Sequence, residues 1–281
     1  MLANLGIRQS RGSELAREHS MHTLSQKSGF TLIELIMVMV LLSIVGIVGA
    51  NFLSQAFKGF SDTDIRMEIY EEGKAALTRM ERELHMAIPN AFNQVSVTQL
   101  QFGMIDEVTM RDVFGMYDES PPTTTLTDLF VLPPTSDPTK FLPVNTIISI
   151  YNRNWNDFTS PPYRLYNVDS VAVGVMTISN NVTPPRSSPL KRYYAVDSAV
   201  RYQLAGSTLN RAVAAVTTTG VGVFGTNYPL ATNISQTGAL PIFDYTPASL
   251  TQNAVVSIKF TIRHEGTSVN FHKEVHIKNV P

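Results

Sequence analysis

Apolar and polar positions follow three different rhythms along this chain. From Phe30 to Leu53 the order is FTLIELIMVMVLLSIVGIVGANFL, and between Leu35 and Ala50 only Ser43 is not apolar. That run reaches the roughly 20 residues a helix needs to cross a bilayer core. A helix satisfies its own backbone polar groups, as hydrocarbon demands. From Ile65 the apolar positions become Ile65, Ile69, Ala76, Leu77, Met80, Leu84, Ala87 and Ile88. Their spacing makes one helical stripe. Asp64, Glu68, Glu71 and Arg82 fall on the solvent side, and Asp62 to Arg66 and Arg79 to Glu83 are spaced for (i, i+4) ion pairs. The pattern predicts one helix from Phe30 to about Ile88, stopped by Pro89-Asn90. Gly46 and Gly49 are its weak points, each costing up to ~1 kcal/mol relative to alanine, and local flexing is expected there.

After Pro89 the rhythm shortens to alternating or β-branched runs. Strands are predicted at 95–102, 129–132, 146–151, 163–168, 171–179, 193–204, 209–216, 255–263 and 269–277. Pro121, Pro122, Pro133, Pro134, Pro138 and Pro143 mark loops between them, with later breaks at Pro161-Pro162 and Pro184-Pro185. The expected fold class is α+β: a long N-terminal helix, part membrane and part amphipathic, packed on an antiparallel sheet. The expected organisation is a leader at 1–29, a membrane helix at 30–53, an amphipathic helix at 54–88 and an exported β-rich domain at 89–281.

Charge changes this picture mainly at the N-terminus. Residues 1–29 hold Arg8, Arg11, Arg17 and Lys27 against Glu14 and Glu18. This basic excess precedes the apolar run, so the positive-inside rule keeps the N-terminus cytoplasmic and exports the rest. The whole chain of 281 residues carries a net charge of -1, which gives no reason to expect nucleic acid as a partner. It has no cysteine, which removes disulfides, thiolate metal sites and cysteine nucleophiles. A cleaved secretory signal would have an apolar region of about 7–15 residues and a small-residue site after it. Here the run is longer, and Ser43, Gly46, Gly49 and Ala50 lie inside it. A plain membrane anchor and a processed one remain.

The residues Lys27-Ser28-Gly29-Phe30-Thr31-Leu32-Ile33-Glu34 resemble the processing site of type IV prepilins and type II secretion pseudopilins. The resemblance implies a cut between Gly29 and Phe30 by a prepilin peptidase, N-methylation of Phe30 by the same enzyme, and removal of the leader as a disordered cytoplasmic tail. Met21 is an alternative start. It also implies an inner-membrane anchor with the domain in the periplasm, an assembly platform, and other minor and major pilins as partners. Glu34 has a physical reading beside this one. A carboxylate in an apolar run is costly and needs a partner, although so near the start it can also snorkel to the headgroups. After cleavage the Phe30 amine of a neighbouring subunit is such a partner, and a pair in so dry a place fixes register more than it adds stability.

Further along, Val200-Arg201-Tyr202-Gln203-Leu204 with Leu209-Asn210-Arg211, and Phe243-x-Tyr245 ahead of the strand at Val255, resemble J-type minor pseudopilins. The ending Lys278-Asn279-Val280-Pro281 is similar to minor pilins of mannose-sensitive haemagglutinin (MSHA) pili. These likenesses imply a minor subunit that helps initiate or cap a filament. A tip adhesin with binding loops at 118–163 and a tethered periplasmic enzyme are the competing functions.

Little else points to chemistry, and no cofactor is expected. His272, Glu274 and His276 share one strand face, as metal ligands would or as a solvent face would, with Val275 and Ile277 inward. Asp106, Glu107, Asp112, Asp118 and Glu119 make an acidic stretch without a calcium-loop spacing. Trp155 with Tyr151, Phe158 and Tyr163 either lines a binding surface or caps the sheet. No G-x-S-x-G, H-E-x-x-H or P-loop occurs, so no enzyme is expected.

Overall fold

The computed structural model describes residues 29–113, 115–117, 127–131 (backbone only), 140–172, 175–179, 188–235, 241–249 and 252–277. Expectations for the leader, except Gly29, and those for residues 118–126, 132–139, Pro184-Pro185 and 278–281 lie outside these residues. Helix α1 runs from Leu32 to His85, 54 residues without a break at Gly46 or Gly49. Its end comes three residues before the predicted Ile88. Proline disfavours helical backbone in the residue ahead of it, so Ile88 is barred from the helix and Met86 makes the turn. Asp62 and Arg66 do not pair, whereas Arg79 Nε lies 3.1 Å from Glu83 Oε1.

The remaining elements among the described residues are β1 (Ala87–Ser96), β2 (Gln99–Ile105), α2 (Glu107–Met110), β3 (Thr127–Val131), β4 (Ile147–Ile150), α3 (Asn156–Thr159), β5 (Leu165–Ala172), β6 (Val175–Ser179), β7 (Tyr193–Ala205), β8 (Thr208–Ala214), β9 (Val216–Thr217), β10 (Gly220–Val221), β11 (Tyr228–Ala231), β12 (Ile234–Ser235), β13 (Phe243–Thr246), β14 (Ala254–His264) and β15 (Thr267–Ile277). Every strand pair among the described residues is antiparallel, so the fold is α+β with a long helix on antiparallel sheet.

Two predicted strands are hairpins instead. The run at 95–102 turns at Val97-Thr98, where Ser96 Oγ accepts the Thr98 N–H at 3.2 Å. The run at 171–179 divides into β5 and β6, which pair with each other. The first run has no glycine or proline to mark its turn, and in the second Gly174 alone interrupts the apolar sequence. β1 was not predicted: Pro89 sits inside it, within a register shift between Ala87 and Phe92, and Asn90 takes φ 62. A bulge is where a strand tolerates proline.

The chain divides into two compact units, Met1–Phe57 and Lys58–Pro281. In the first, α1 is apolar and unburied, and it is long and apolar enough to cross a membrane. In the second, nine strands form one sheet in the order β1-β2-β7-β4-β5-β6-β3, extended by β8 on β7 and β11 on β8. A second sheet places β14 between β15 on one side and β12 with β13 on the other. The amide of Gln94 joins the two sheets as a backbone ladder would. Its Nε2 donates to Phe243 O and its Oε1 accepts from Tyr245 N, both at 2.9 Å.

The inner stripe of α1, with Ile69, Ala76, Met80 and Leu84, closes a core with Phe102, Tyr202, Phe243 and Ile258. Helix and sheet meet closely at Gly73. A Cβ there would lie 2.1 Å from Phe271 Cζ. Gly73→Ala in the full chain in detergent is expected to lose about 1–3 kcal/mol by thermal or urea denaturation. Gly59→Ala, where an added Cβ meets nothing within 4 Å, is expected to be neutral or to gain up to ~1 kcal/mol.

Candidate functional site

Two groups of residues stand out: the exposed start of α1 and a buried carboxylate near its end. At the start, Gly29 and Phe30 lie outside the helix and are exposed. Thr31 caps α1, because its Oγ1 accepts the Glu34 N–H at 3.3 Å and its carbonyl accepts from Glu34 N and Leu35 N. Thr31 and Glu34 thus have the spacing of a capping box. The Gly29–Phe30 peptide bond is therefore held in open, non-helical backbone one residue ahead of a capped helix. A peptidase needs that geometry to reach a scissile bond, and an added Cβ at Gly29 would meet no atom within 4 Å. Glu34 is the one charged residue between Phe30 and Phe57. Among the described residues its side chain has no partner, so its charge is free for one outside the chain. Ser43, which alone is not apolar between Leu35 and Ala50, bonds back to Met39 O at 2.7 Å.

Near the other end, Glu83 faces inward on α1 and is 5% exposed. Tyr202 Oη donates to its Oε2 at 2.6 Å and Arg211 Nε to the same oxygen at 2.8 Å, while Arg79 Nε reaches Oε1 at 3.1 Å. These donors come from β7, β8 and α1. Burial pushes the Glu83 carboxyl up, but the bonds from Arg211, Tyr202 and Arg79 outweigh it and hold the pKa below the ordinary 4.5. Burial and the adjacent Glu83 charge push the Tyr202 hydroxyl well above 10, so it remains a donor. Two further acids of α1 tie it to the sheets: Glu72 accepts from Thr232 N at 2.6 Å, and Glu81 pairs with Lys273 at 2.8 Å. The sequence pattern had placed Glu83 only in a local pair with Arg79. Its phase, on the stripe of Met80 and Leu84, was the available signal that it is buried.

The other sequence candidates do not assemble into a site. His272 Nε2 lies 3.3 Å from Ser257 Oγ and 3.6 Å from Glu274 Oε1. No group of three His, Cys, Asp or Glu side chains suited to a metal occurs among the described residues, so His272, Glu274 and His276 form no such centre there. Asp106 caps α2 through Thr109. Phe158 is fully buried and Trp155 stacks on it at 6.0 Å, which makes that pair a sheet cap rather than an open shelf.

The model of the prokaryotic N-terminal methylation motif matches residues 24–50. No curated protein and no solved structure matches the chain. The motif supports a type IV pilin-like protein, a structural subunit processed by a prepilin peptidase. Together with the apolar helix, it supports membrane anchoring.

The sign of the Glu83 effect on stability follows from its lowered pKa. The carboxylate contributes stability above its unfolded pKa, and that contribution is lost as pH falls through the lower folded value. Glu83→Gln is expected to cost on the order of 3 kcal/mol at pH 7, because Arg211 is left buried without its anion. The difference from the parent should shrink below about pH 4.5. Denaturation at pH 7 and at pH 3.5 to 4 checks both statements.

Proposed function

We propose that this chain is a minor subunit of a type IV, MSHA-like pilus that anchors in the inner membrane and helps initiate or cap filament assembly. The observation that carries this reading is the start of α1: an exposed Gly29–Phe30 bond, the Thr31 cap, and Glu34 alone in an apolar helix. In this reading a prepilin peptidase cuts after Gly29 and methylates Phe30. The domain of residues 89–281 sits in the periplasm, with residues 30–53 as membrane anchor and 54–88 joining the two. On assembly, Glu34 meets the Phe30 amine of a neighbouring subunit and sets its axial position. Major and minor pilins and the assembly platform are its partners.

A minor pseudopilin of a type II secretion system shares these features. The β7–β8 hairpin favours that second reading, since Tyr202 and Arg211, in the segments that resemble J-type subunits, are the residues that bind Glu83.

Intact mass of the protein from native membranes tests the shared core of both readings. The mature chain is expected to begin at methylated Phe30, and Gly29→Val is expected to retain the leader. A parent chain left uncut, or cut beyond Ala50, overturns it. Glu34→Gln is expected to be cut normally yet to be lost from sheared filaments, as read by immunoblot.

A further inference from the structure

β15 is an edge of its sheet, and the turn before it fixes which backbone groups lie on the free side. Glu265 and Gly266 take φ 45 and 82, the two left-handed residues of a type I′ turn. In such a hairpin the flanking pair, His264 and Thr267, exchanges both backbone hydrogen bonds, and alternate pairs along the ladder do the same. Residues 267, 269, 271, 273, 275 and 277 therefore aim their N–H and C=O groups at β14. Ser268, Asn270, His272, Glu274 and His276 aim theirs away from it. The far side of β14 has the matching phase: Lys259 N and Arg263 N, opposite His272 and Ser268, donate to Ile242 O and Asn233 O. Among the described residues nothing receives the outward groups of β15.

The other described edges are short or blunted. β3 and β13 have five and four residues, β11 carries Pro229, and β1 carries Pro89 and a register shift. β15 pairs with β14 along all 11 of its residues, with no proline, glycine or shift. A long regular edge is a template for a further strand. Beside it lies a groove of about 490 Å³, lined by Met67 and Tyr70 of α1 and by Ser268, Val269 and Asn270 of β15. The side chains of β15 are sorted to match. Val269, Phe271 and Val275 are part-buried or buried, whereas Ser268, Asn270, His272 and Glu274 are exposed on the opposite face.

We propose that β15 receives an extended segment of another protein as an added strand. The segment runs antiparallel to β15 over about seven residues, roughly 24 Å. It sets alternate apolar side chains into the groove, polar ones on the other face, and a basic residue beside Glu274. Backbone bonds supply the affinity, while the groove and Glu274 select the sequence. The β15 of a second copy does not fit. α1 and β15 advance together, from Tyr70 on Phe271 to Glu81 on Lys273, so antiparallel pairing of two such edges reverses one helix. Two copies anchored in one membrane cannot make that contact. This choice of occupant, and no other part of the proposal, rests on the anchoring read above.

The probe is a fluorescent peptide of about nine residues that alternates valine with threonine and carries one lysine in place of a threonine. With the full chain in detergent, fluorescence anisotropy is expected to saturate. Hydrogen exchange is expected to slow at Ser268, Asn270, His272 and Glu274 and to change little at the amides that face β14. N-methylation of the peptide amides that face β15 is expected to weaken binding about tenfold or more, the loss of one or more hydrogen bonds. His272→Pro should do the same, because it removes an N–H that the ladder with β14 does not use, as edge proline does. Thermal denaturation checks that this variant folds, and the N-methylated peptide tests the same bonds on the unaltered chain. Glu274→Lys should weaken binding severalfold, and a peptide with glutamate for lysine should restore it. No saturable binding, equal binding of the N-methylated peptide, or protection away from β15 each overturns the proposal. Dimers of this chain that the peptide dissociates overturn the choice of a different protein as occupant. These measurements need no membrane, so their failure is distinct from failure of the anchored reading, which the mass of the mature chain reports.

Discussion

A carboxylate buried on a helix must be paired or it unfolds what surrounds it, and the unit from Lys58 onward is organised around meeting that demand at Glu83. Two of its three partners come from strands distant in sequence. Arg211 and Tyr202 reach it from neighbouring strands, at positions paired directly across the β7–β8 ladder. That ladder presents a cation and a hydroxyl together to one anion, and only one helical register aligns them. The second constraint is steric. Gly73 lacks the Cβ that Phe271 would exclude, and it lies ten residues before Glu83, about 15 Å along the axis. One polar and one apolar fixed point at that separation leave this half of α1 no freedom to slide or to rotate on the sheets.

Local pattern carried much of this architecture. The patterns along 193–204, 255–263 and 269–277 named the long strands β7, β14 and β15 almost to their ends: β15 alternates with one buried face, while β7 and β14 are rich in β-branched and aromatic residues and bury parts of both faces. Where the pattern failed, a non-local or backbone term decided the outcome. Pro89 was read correctly as a helix stop, but its effect reaches back one residue, and the bulge that accommodates it makes β1 from residues predicted to be helix and loop. The turn at Val97-Thr98 has no glycine or proline and rests on the Ser96 hydroxyl. Glu83 was visible as an acid on the apolar stripe, but nothing local to it indicated that Arg211, 128 residues away, would complete it.

The start of α1 was legible for the opposite reason: its chemistry is contiguous. Gly29, Phe30, Thr31 and Glu34 sit within six residues, so their spacing is already their geometry. The structure adds that Thr31 caps the helix, which fixes where ordered backbone begins and leaves the bond ahead of it accessible. Glu34 therefore has two compatible effects. Its backbone is held in the first turn by Thr31, where an acid also suits the helix dipole, and its side chain has no partner among the described residues, in a segment whose apolar surroundings make an unpaired carboxylate costly.

The apolar run and Glu34 place different constraints on the same helix. Residues such as Leu41, Leu42 and Val45 bury nothing within the chain, and lipid tails or other apolar helices suit them about equally well. Contacts among them are non-directional and tolerate many displacements, so they cannot choose one neighbour position over the next. Choice requires groups whose mismatch is costly, and between Phe30 and Phe57 the one charged group is Glu34. From Lys58 onward the Glu83 tether is such a choice made within the chain, because it holds this half of α1 and the sheets in one register.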